Sequence, residues 1–369
     1  MKSRTLKNME WSILICVALL VVIGLVALYS ATLGTGHEEF KKQVMWLAIS
    51  IPFLVITMFL DYEILAKISP ILYGISIILL IAVLFTEPIS GASSWFVIKK
   101  TISFQPSEFA KVAVVLAYSY LVARLQTKGR DEISRPTRLF ASLLAVAVPV
   151  LLIVKQPDYG TAMAFLFAIV AILFVAGIKK RYIFIALALV VIALPLLYFF
   201  VLPNHAKTRI DVFLNPEIDA RGSGYNILQS KLAIGAGEMF GMGIGKGNQT
   251  QLGFLYPKTT DFIFSVIGEE LGFVVGASVI ALYILLITKA IYIAKTAKDD
   301  LGSYIAAGIA GIFIFHMMEN IGMTMGLLPI TGVPLPFVSY GGSSLVTNLI
   351  LIGILLSVSG RRKKAIFME

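Results

Sequence analysis

The sequence predicts an all-α polytopic membrane protein with ten transmembrane helices and a long extracytoplasmic loop between the seventh and eighth helices. The 369-residue chain is 58% apolar and only 14% charged, and apolar runs long enough to cross a bilayer recur along its whole length. We expect residues 1–369 to form one membrane domain, with the large loop over residues 203–260. The predicted spans are Trp11–Ser30, Val44–Leu60, Ile68–Phe85, Ser107–Val122, Leu139–Val154, Asp158–Gly177, Tyr182–Leu202, Asp261–Ile287, Ser303–Leu328 and Phe337–Gly360.

The net charge of +10 reflects topology signals and does not indicate a nucleic-acid partner. The basic residues stand at the ends of the apolar runs. With a cytoplasmic N-terminus, the predicted inner segments hold nineteen lysines and arginines, and the short outer loops hold five. This bias predicts that both termini are cytoplasmic.

The predicted outer connections contain nearly all the unusual sequence. They include GASSWFVIKKTISFQPSEFAK, KQPDYGTA, residues 203–260 and LPITGVPLPFVSYGGSS, which are rich in Gly, Pro, Trp and isolated charges. We therefore expect the working face to be extracytoplasmic. Nucleotides are scarce on that side, so an enzyme there needs a substrate that is already activated, for example by a lipid diphosphate.

Two of these motifs carry charges at the start of a predicted helix. In FQPSEFAK, Glu108 and Lys111 share one helix face. They either form an ion pair that closes helix packing or line a polar cavity, and intramembrane charges favour the cavity. In KQPDYGTA, a capped turn explains Asp158, whereas Lys155 is an outer cation that could meet a phosphate.

The large loop contains a predicted short amphipathic helix, Tyr225–Ile234, on the membrane surface. Six glycines between positions 235 and 247 surround Lys246. Their backbone amides could hold an anion, although glycine-rich mobility alone explains the composition better. The loop is not a phosphate-binding P-loop, because Phe240 stands where the first glycine is needed.

The prolines of LPITGVPLPFVSYGGSS predict a broken helical path before the last span, with Ser339 inside it. Such a path can line a substrate cavity or form a packing corner, and both interpretations stay open.

The stretch YPKTTDFIFSVIGEELG places three carboxylates in or beside an apolar run. Asp261 stands at the outer mouth, where it could cap the helix or act as a general base towards a hydroxyl nucleophile. Helical phase puts Glu269 and Glu270 deeper and on other faces, so the three cannot form one site. We expect those two to pair with cations of neighbouring helices. The three histidines are scattered, and no metal-ligand spacing emerges.

Taken together, the chain resembles the SEDS family (shape, elongation, division and sporulation), represented by RodA, FtsW and SpoVE. The resemblance covers nearly the whole chain and rests on FQPSEFAK, QPDYGTA, GKGNQTQ followed by LGFLYPKTTDFIFSVIGEELG, and GVPLPFVSYGGSS. The chain length and the stretch GYNILQSKLAIGAGEMFGMGIGKG resemble the RodA branch more than the FtsW branch.

This resemblance implies a multi-pass protein of the bacterial cytoplasmic membrane that polymerises lipid II into peptidoglycan strands during cell elongation. It implies that Asp261 is the essential acid, that Glu108 and Lys111 line the cavity, and that Trp95 is important for activity. We expect Lys111, Lys155 or Arg209 to hold the lipid diphosphate. The implied partner is a class B penicillin-binding protein, a transpeptidase. A divalent cation, Mg or Mn, could assist the diphosphate, but the sequence contains no dedicated site for one.

Three alternatives stay open at the level of sequence. One is a lipid II flippase or transporter. The observation that favours it is the set of deeper polar residues Glu269, Glu270, His316 and Glu319. A second is a scaffold that only recruits the transpeptidase. The third is the division branch of the same family.

Overall fold

The structure is a computed structural model that describes residues 6, 8–88, 92–98, 102–126, 129–201, 204–219 and 222–362. The predicted end of the seventh span at Leu202 and most of the basic residues at both chain ends lie outside these ranges. The described chain is helical, as the composition predicts, apart from one small hairpin and several irregular connections.

The long helices follow the predicted apolar runs. They are α1 (Trp11–Ala31), α2 (Glu38–Phe59), α3 (Tyr62–Ala82), α4 (Pro106–Leu125), α5 (Pro136–Lys155), α6 (Tyr159–Val175), α7 (Lys180–Leu196), α11 (Ile263–Thr296), α12 (Asp300–Thr324) and α13 (Gly342–Gly360). Between α7 and α11 lie α8 (Asn204–Leu214), α9 (Ser223–Ala236) and α10 (Asn248–Gln251). Helix α9 covers the stretch for which the sequence predicts a short amphipathic helix.

Among the described residues, seven helices are long and apolar enough to cross a membrane: α1, α2, α3, α5, α11, α12 and α13. Helices α6 and α7 have 17 residues each. Helix α4 has 20 residues but carries Glu108, Lys111 and Arg124, which lower its hydropathy. The protein is therefore a multi-pass membrane protein by helix length and composition, and the count of ten spans stays a prediction.

Helices α12 and α13 form the centre of the bundle, α2, α4, α6 and α11 pack against one or both of them, and α1 packs against α11. Two glycines permit close approach to the chain that links α12 to α13. A Cβ atom on Gly24 of α1 would lie 2.6 Å from Val338 Cα, and one on Gly160 of α6 would lie 2.2 Å from Val333 Cγ2. A two-stranded antiparallel hairpin, β1 (Phe96–Ile98) and β2 (Ile102–Phe104), precedes α4.

Helix α11 is broken at Gly272, whose backbone (φ 78°, ψ −177°) is not helical. The glycine loop, which we define as residues 237–247, closes the break. Its Met242 and Gly243 N–H groups donate to the carbonyls of Glu269 and Glu270, at 2.9 and 3.0 Å. The predicted span from Asp261 to Ile287 therefore contains a break that the sequence pattern did not predict, and the loop supplies the hydrogen bonds that a continuous helix would make internally.

We expect Gly272→Ala to destabilise the protein by about 1–3 kcal/mol, because its φ and ψ angles suit only glycine. An added Cβ would also lie 2.2 Å from the Gly241 nitrogen. Thermal unfolding in detergent measures the effect. The matched control is Gly74→Ala on α3, where a Cβ meets nothing within 4 Å. Equal unfolding temperatures for the two variants would contradict a strained break.

Candidate functional site

The proline segment, residues 329–341, is not helical between α12 and α13, apart from one turn in which Ser339 N donates to Leu335 O at 2.9 Å. Side chains of α12 satisfy its carbonyls: Asn320 Nδ2 donates to Val333 O at 2.9 Å, and His316 Nδ1 lies 3.0 Å from Pro334 O. Because a carbonyl only accepts, His316 carries its proton on Nδ1. Irregular backbone is tolerated at membrane depth only when protein groups satisfy it in this way.

Other helices hold the remainder of the proline segment. The Tyr283 hydroxyl of α11 donates to Pro336 O. Gln43 of α2 donates from Nε2 to Ser339 O at 3.1 Å and accepts from Gly341 N at 3.1 Å. The segment is thus fixed to α2, α11 and α12 at once.

Asp261 lies in the turn before α11, against the proline segment. An added Cβ on Gly332 would lie 3.5 Å from Asp261 Oδ2, so this glycine lies directly beside the carboxylate. The Ser339 hydroxyl donates to Thr260 O at 2.7 Å, and Tyr340 N donates to Thr259 O at 2.9 Å.

Asp261 does not cap the helix, because α11 begins at Ile263 with Phe262 at the cap position and no capping side chain. Burial raises the pKa of Asp261 to about 6, and the Thr260 hydrogen bond and the Arg209 charge oppose part of the rise. A carboxylate with that pKa is ionised near neutral pH and is more basic than an ordinary aspartate, which suits a general base.

Glu108 and Lys111 form an ion pair with 2.9 Å between Nζ and Oε1, and both side chains are buried. Lys111 Nζ also lies 3.2 Å from His316 Nε2, which accepts because the His316 proton is on Nδ1. The Thr347 hydroxyl of α13 donates to Glu108 Oε2 at 2.8 Å. Both charges are therefore satisfied within the protein, as in the packing interpretation, and direct substrate contact by Lys111 or Glu108 stays a prediction.

Asp158 caps α6, accepting from Thr161 N at 3.1 Å and from Gln105 Nε2 at 3.0 Å. The second bond ties the start of α6 to the residue before α4. Gln105 N also donates to Ser343 Oγ at 3.3 Å, so the start of α13 is connected to the same residue. Lys155 is exposed at the end of α5.

Among the described residues, neither Glu269 nor Glu270 forms an ion pair with a cation of a neighbouring helix, which corrects that expectation. Glu269 accepts from the N–H groups of Gln249 and Thr250 at 2.7 and 2.9 Å and from the Thr250 hydroxyl at 2.6 Å. Glu270 accepts from Gly245 N and Gly247 N, each at 3.3 Å. The backbone amides of this region do hold anions, and the anions are the protein's own carboxylates. Lys246 is exposed on the same loop.

Several predicted residues meet at the proline segment, and others do not. Asp261, Ser339 and Arg209 touch it or its neighbours, with Arg209 Nη1 3.5 Å from Thr331 O. Trp95 is half-buried just before β1, and its role stays a prediction. Among the described residues, no group of three or more potential metal-ligating side chains comes together.

The sequence reasoning missed Asn320 and Gln43, and it did not place His316 next to Lys111. One signal was available in the sequence. His316, Glu319 and Asn320 recur at helical spacing, so they share one polar face on an otherwise apolar helix.

The chain is similar to known proteins in sequence and in fold. Residues 10–364 match the family model described as cell cycle protein, which covers FtsW, RodA and SpoVE. The chain is 39% identical over 352 residues to the peptidoglycan glycosyltransferase MrdB of Escherichia coli K12, covering 95% of this chain and 93% of MrdB.

Two solved structures share the fold. One comes from work on the structural coordination of polymerization and crosslinking by a peptidoglycan synthase complex; its TM-score is 0.82 at 29% identity, covering 95% of this chain and 97% of that one. The other is the Thermus thermophilus rod shape determining protein RodA, with a TM-score of 0.72 at 29% identity, covering 96% of this chain and 98% of RodA.

Lys111→Met should destabilise the protein by roughly 3–5 kcal/mol, because it leaves the Glu108 carboxylate buried without its cation. The double variant Glu108→Gln/Lys111→Met should regain most of that loss, since no charge is then left unpaired. Thermal unfolding in detergent measures both changes. Equal destabilisation by the single and double variants would show that the ion pair does not account for the loss.

Proposed function

The chain belongs to the SEDS family, and from that premise we propose that it is a peptidoglycan glycosyltransferase that polymerises lipid II on the extracytoplasmic face. The observation that carries the proposal is the Asp261 turn. It presents a partly buried carboxylate with a pKa of about 6 beside Gly332, within the field of the Arg209 guanidinium. A base and a cation for a diphosphate therefore lie at one place.

The proposed reaction is a single inverting displacement. The Asp261 carboxylate takes the proton of the acceptor 4-hydroxyl as that oxygen bonds to the anomeric carbon of the donor. The bond from that carbon to the diphosphate oxygen breaks, and the polyprenyl diphosphate leaves with the electron pair. One base and a stabilised leaving group suffice for inversion, and no enzyme nucleophile is needed.

Arg209 is the cation best placed to stabilise the leaving diphosphate. Among the described residues, its guanidinium makes one long hydrogen bond, to Thr331 O at 3.5 Å, so most of the group is available for bidentate phosphate binding. Exposed Lys155 and Lys246 are further diphosphate contacts on the outer face under this proposal. Lys111 would have to leave its ion pair to take part.

The membrane arrangement follows from the same proposal. We place the chain in the bacterial cytoplasmic membrane, with ten spans and both termini in the cytoplasm, on the basis of the lysine and arginine bias. The structural neighbour named for rod shape supports a role in cell elongation. Growth of a strain that relies on this protein would separate elongation from division, since loss gives round cells in the first case and filaments in the second.

We propose a class B penicillin-binding protein as partner, because a structural neighbour comes from a synthase complex that coordinates polymerization with crosslinking. An open apolar groove of about 560 Å³ beside the α11 break is a suitable contact for a single transmembrane helix. Gly268, Gly272 and Gly276 border it, and such small residues allow helices to approach closely.

Asp261→Asn should lower polymerisation of purified lipid II in detergent by roughly 100-fold or more, because the amide cannot accept the proton. Gel analysis of the glycan strands measures the rate. The matched control is Asp300→Asn, which changes an exposed carboxylate paired with Arg130 at the other end of α12. Polymerisation by Asp261→Asn at the wild-type rate would remove Asp261 from the base role.

The same preparation separates the alternatives. A flippase would give no polymer in detergent but would scramble lipid II in vesicles. A scaffold would support growth and complex formation with Asp261→Ala.

The kcat/KM for lipid II should fall about tenfold per pH unit below pH 6 and level off above it. The sign follows from the raised pKa: Asp261 binds a proton below about pH 6, and the protonated acid cannot act as a base. Initial rates between pH 4.5 and 8, on protein whose folding is checked at each pH, measure the profile. A profile that stays flat down to pH 5 would show that no group with this pKa is needed.

A further inference from the structure

Helix α12 presents one polar face to the proline segment. The Glu319 carboxylate accepts from the Thr331 hydroxyl at 2.7 Å, and His316 faces Lys111 and Pro334 O. The third residue of this face, Asn320, forms hydrogen bonds only to backbone groups among the described residues. Its amide bonds two backbone carbonyls, one on each side of the proposed site.

The two hydrogen bonds of Asn320 use both protons of one nitrogen. Nδ2 donates to Asp261 O at 3.0 Å and to Val333 O at 2.9 Å. The side chain is fully buried, and Oδ1 has no partner among the described atoms. The opposite amide orientation would set Oδ1 against two carbonyl oxygens, so these partners fix the orientation. Only an amide or a cationic side chain can supply two such donors from one nitrogen.

The bond to Asp261 O is one of three that hold the backbone before α11. The carbonyls of Thr259 and Thr260 accept from the proline segment, whereas the carbonyl of Asp261 accepts from α12. Val333 directly follows Gly332, which borders the Asp261 carboxylate. Asn320 therefore holds the backbone that carries the carboxylate and the backbone that forms the wall opposite it.

We propose that Asn320 is a positioning residue for the transfer reaction: its amide sets the separation between the Asp261 carboxylate and the wall at residues 331–333, where the acceptor hydroxyl must fit. This inference rests on the proposed function, with Asp261 as the base. Since Asn320 is closed off from the surface, it acts on the orientation of the base and leaves the binding of lipid II to other groups.

The test compares Asn320 with Asn348, a matched control on α13. Asn348 is also fully buried, its Nδ2 also donates two hydrogen bonds, and its Oδ1 also has no partner among the described atoms. Its two acceptors both belong to Ser344, one turn earlier in the same helix. The two residues thus differ mainly in which backbone they hold.

We expect Asn320→Ala to lower kcat for lipid II polymerisation on the order of 100-fold, the scale found for small misplacements of reacting groups, with KM little changed. Asn348→Ala should keep both constants near the wild-type values. If Asn320→Ala does not fold, Asn320→Ser, which retains one donor, gives the comparison. Thermal unfolding of every variant shows how much of a loss is due to destabilisation.

The pH profile supplies a measurement that a purely structural role would not change. Asn320→Asp replaces the donating nitrogen by oxygen beside Asp261, so the midpoint of kcat/KM should move to higher pH, whereas Asn348→Asp should leave it in place. Asn320 variants that fold and keep the wild-type kcat and midpoint would overturn the inference. A wild-type protein that makes no polymer would refute the proposed function, and that result is read before any Asn320 variant is made.

Discussion

The backbone of the proline segment must find hydrogen-bond partners inside the protein, and this requirement organises the centre of the bundle. Prolines prevent a helix there, and lipid cannot supply donors or acceptors. Buried polar side chains from three helices meet the need. The donors are Asn320, His316, Tyr283 and Gln43, and the acceptors are the carbonyls of Val333, Pro334, Pro336 and Ser339. Because the same segment borders Asp261, its anchoring also fixes the proposed site.

At the break in α11 the roles are exchanged: side-chain carboxylates accept hydrogen bonds from backbone N–H groups. Glu269 and Glu270 are buried in an apolar helix, which would be unfavourable for unpaired carboxylates. Backbone amides of the glycine loop and of the residues after it surround them, so oriented dipoles stabilise their charge. A glycine-rich stretch thus becomes part of the packed structure.

Local pattern predicted the helices and the isolation of Asp261 at the end of one, because both depend on short-range periodicity and on topology. The contacts that define the site are long-range: Lys111 with His316, and Asn320 with Asp261 and Val333. The faces assigned to Glu269 and Glu270 from helical phase also depended on a continuous helix, and Gly272 interrupts that helix. The polar face of α12 can be predicted from a single sequence, but the backbone segment that this face contacts cannot.

The chain of bonds from Glu108 through Lys111 to His316 ends at a backbone carbonyl, and this bears on energetics across the membrane. His316 is held with its proton on Nδ1 towards Pro334 O, and that oxygen has no proton to pass on. Among the described residues, this chain of bonds therefore ends inside the protein at Pro334 O. Under the proposed function, a proton taken up by Asp261 would therefore not be relayed through these three residues, and strand synthesis would not draw on the proton-motive force through them.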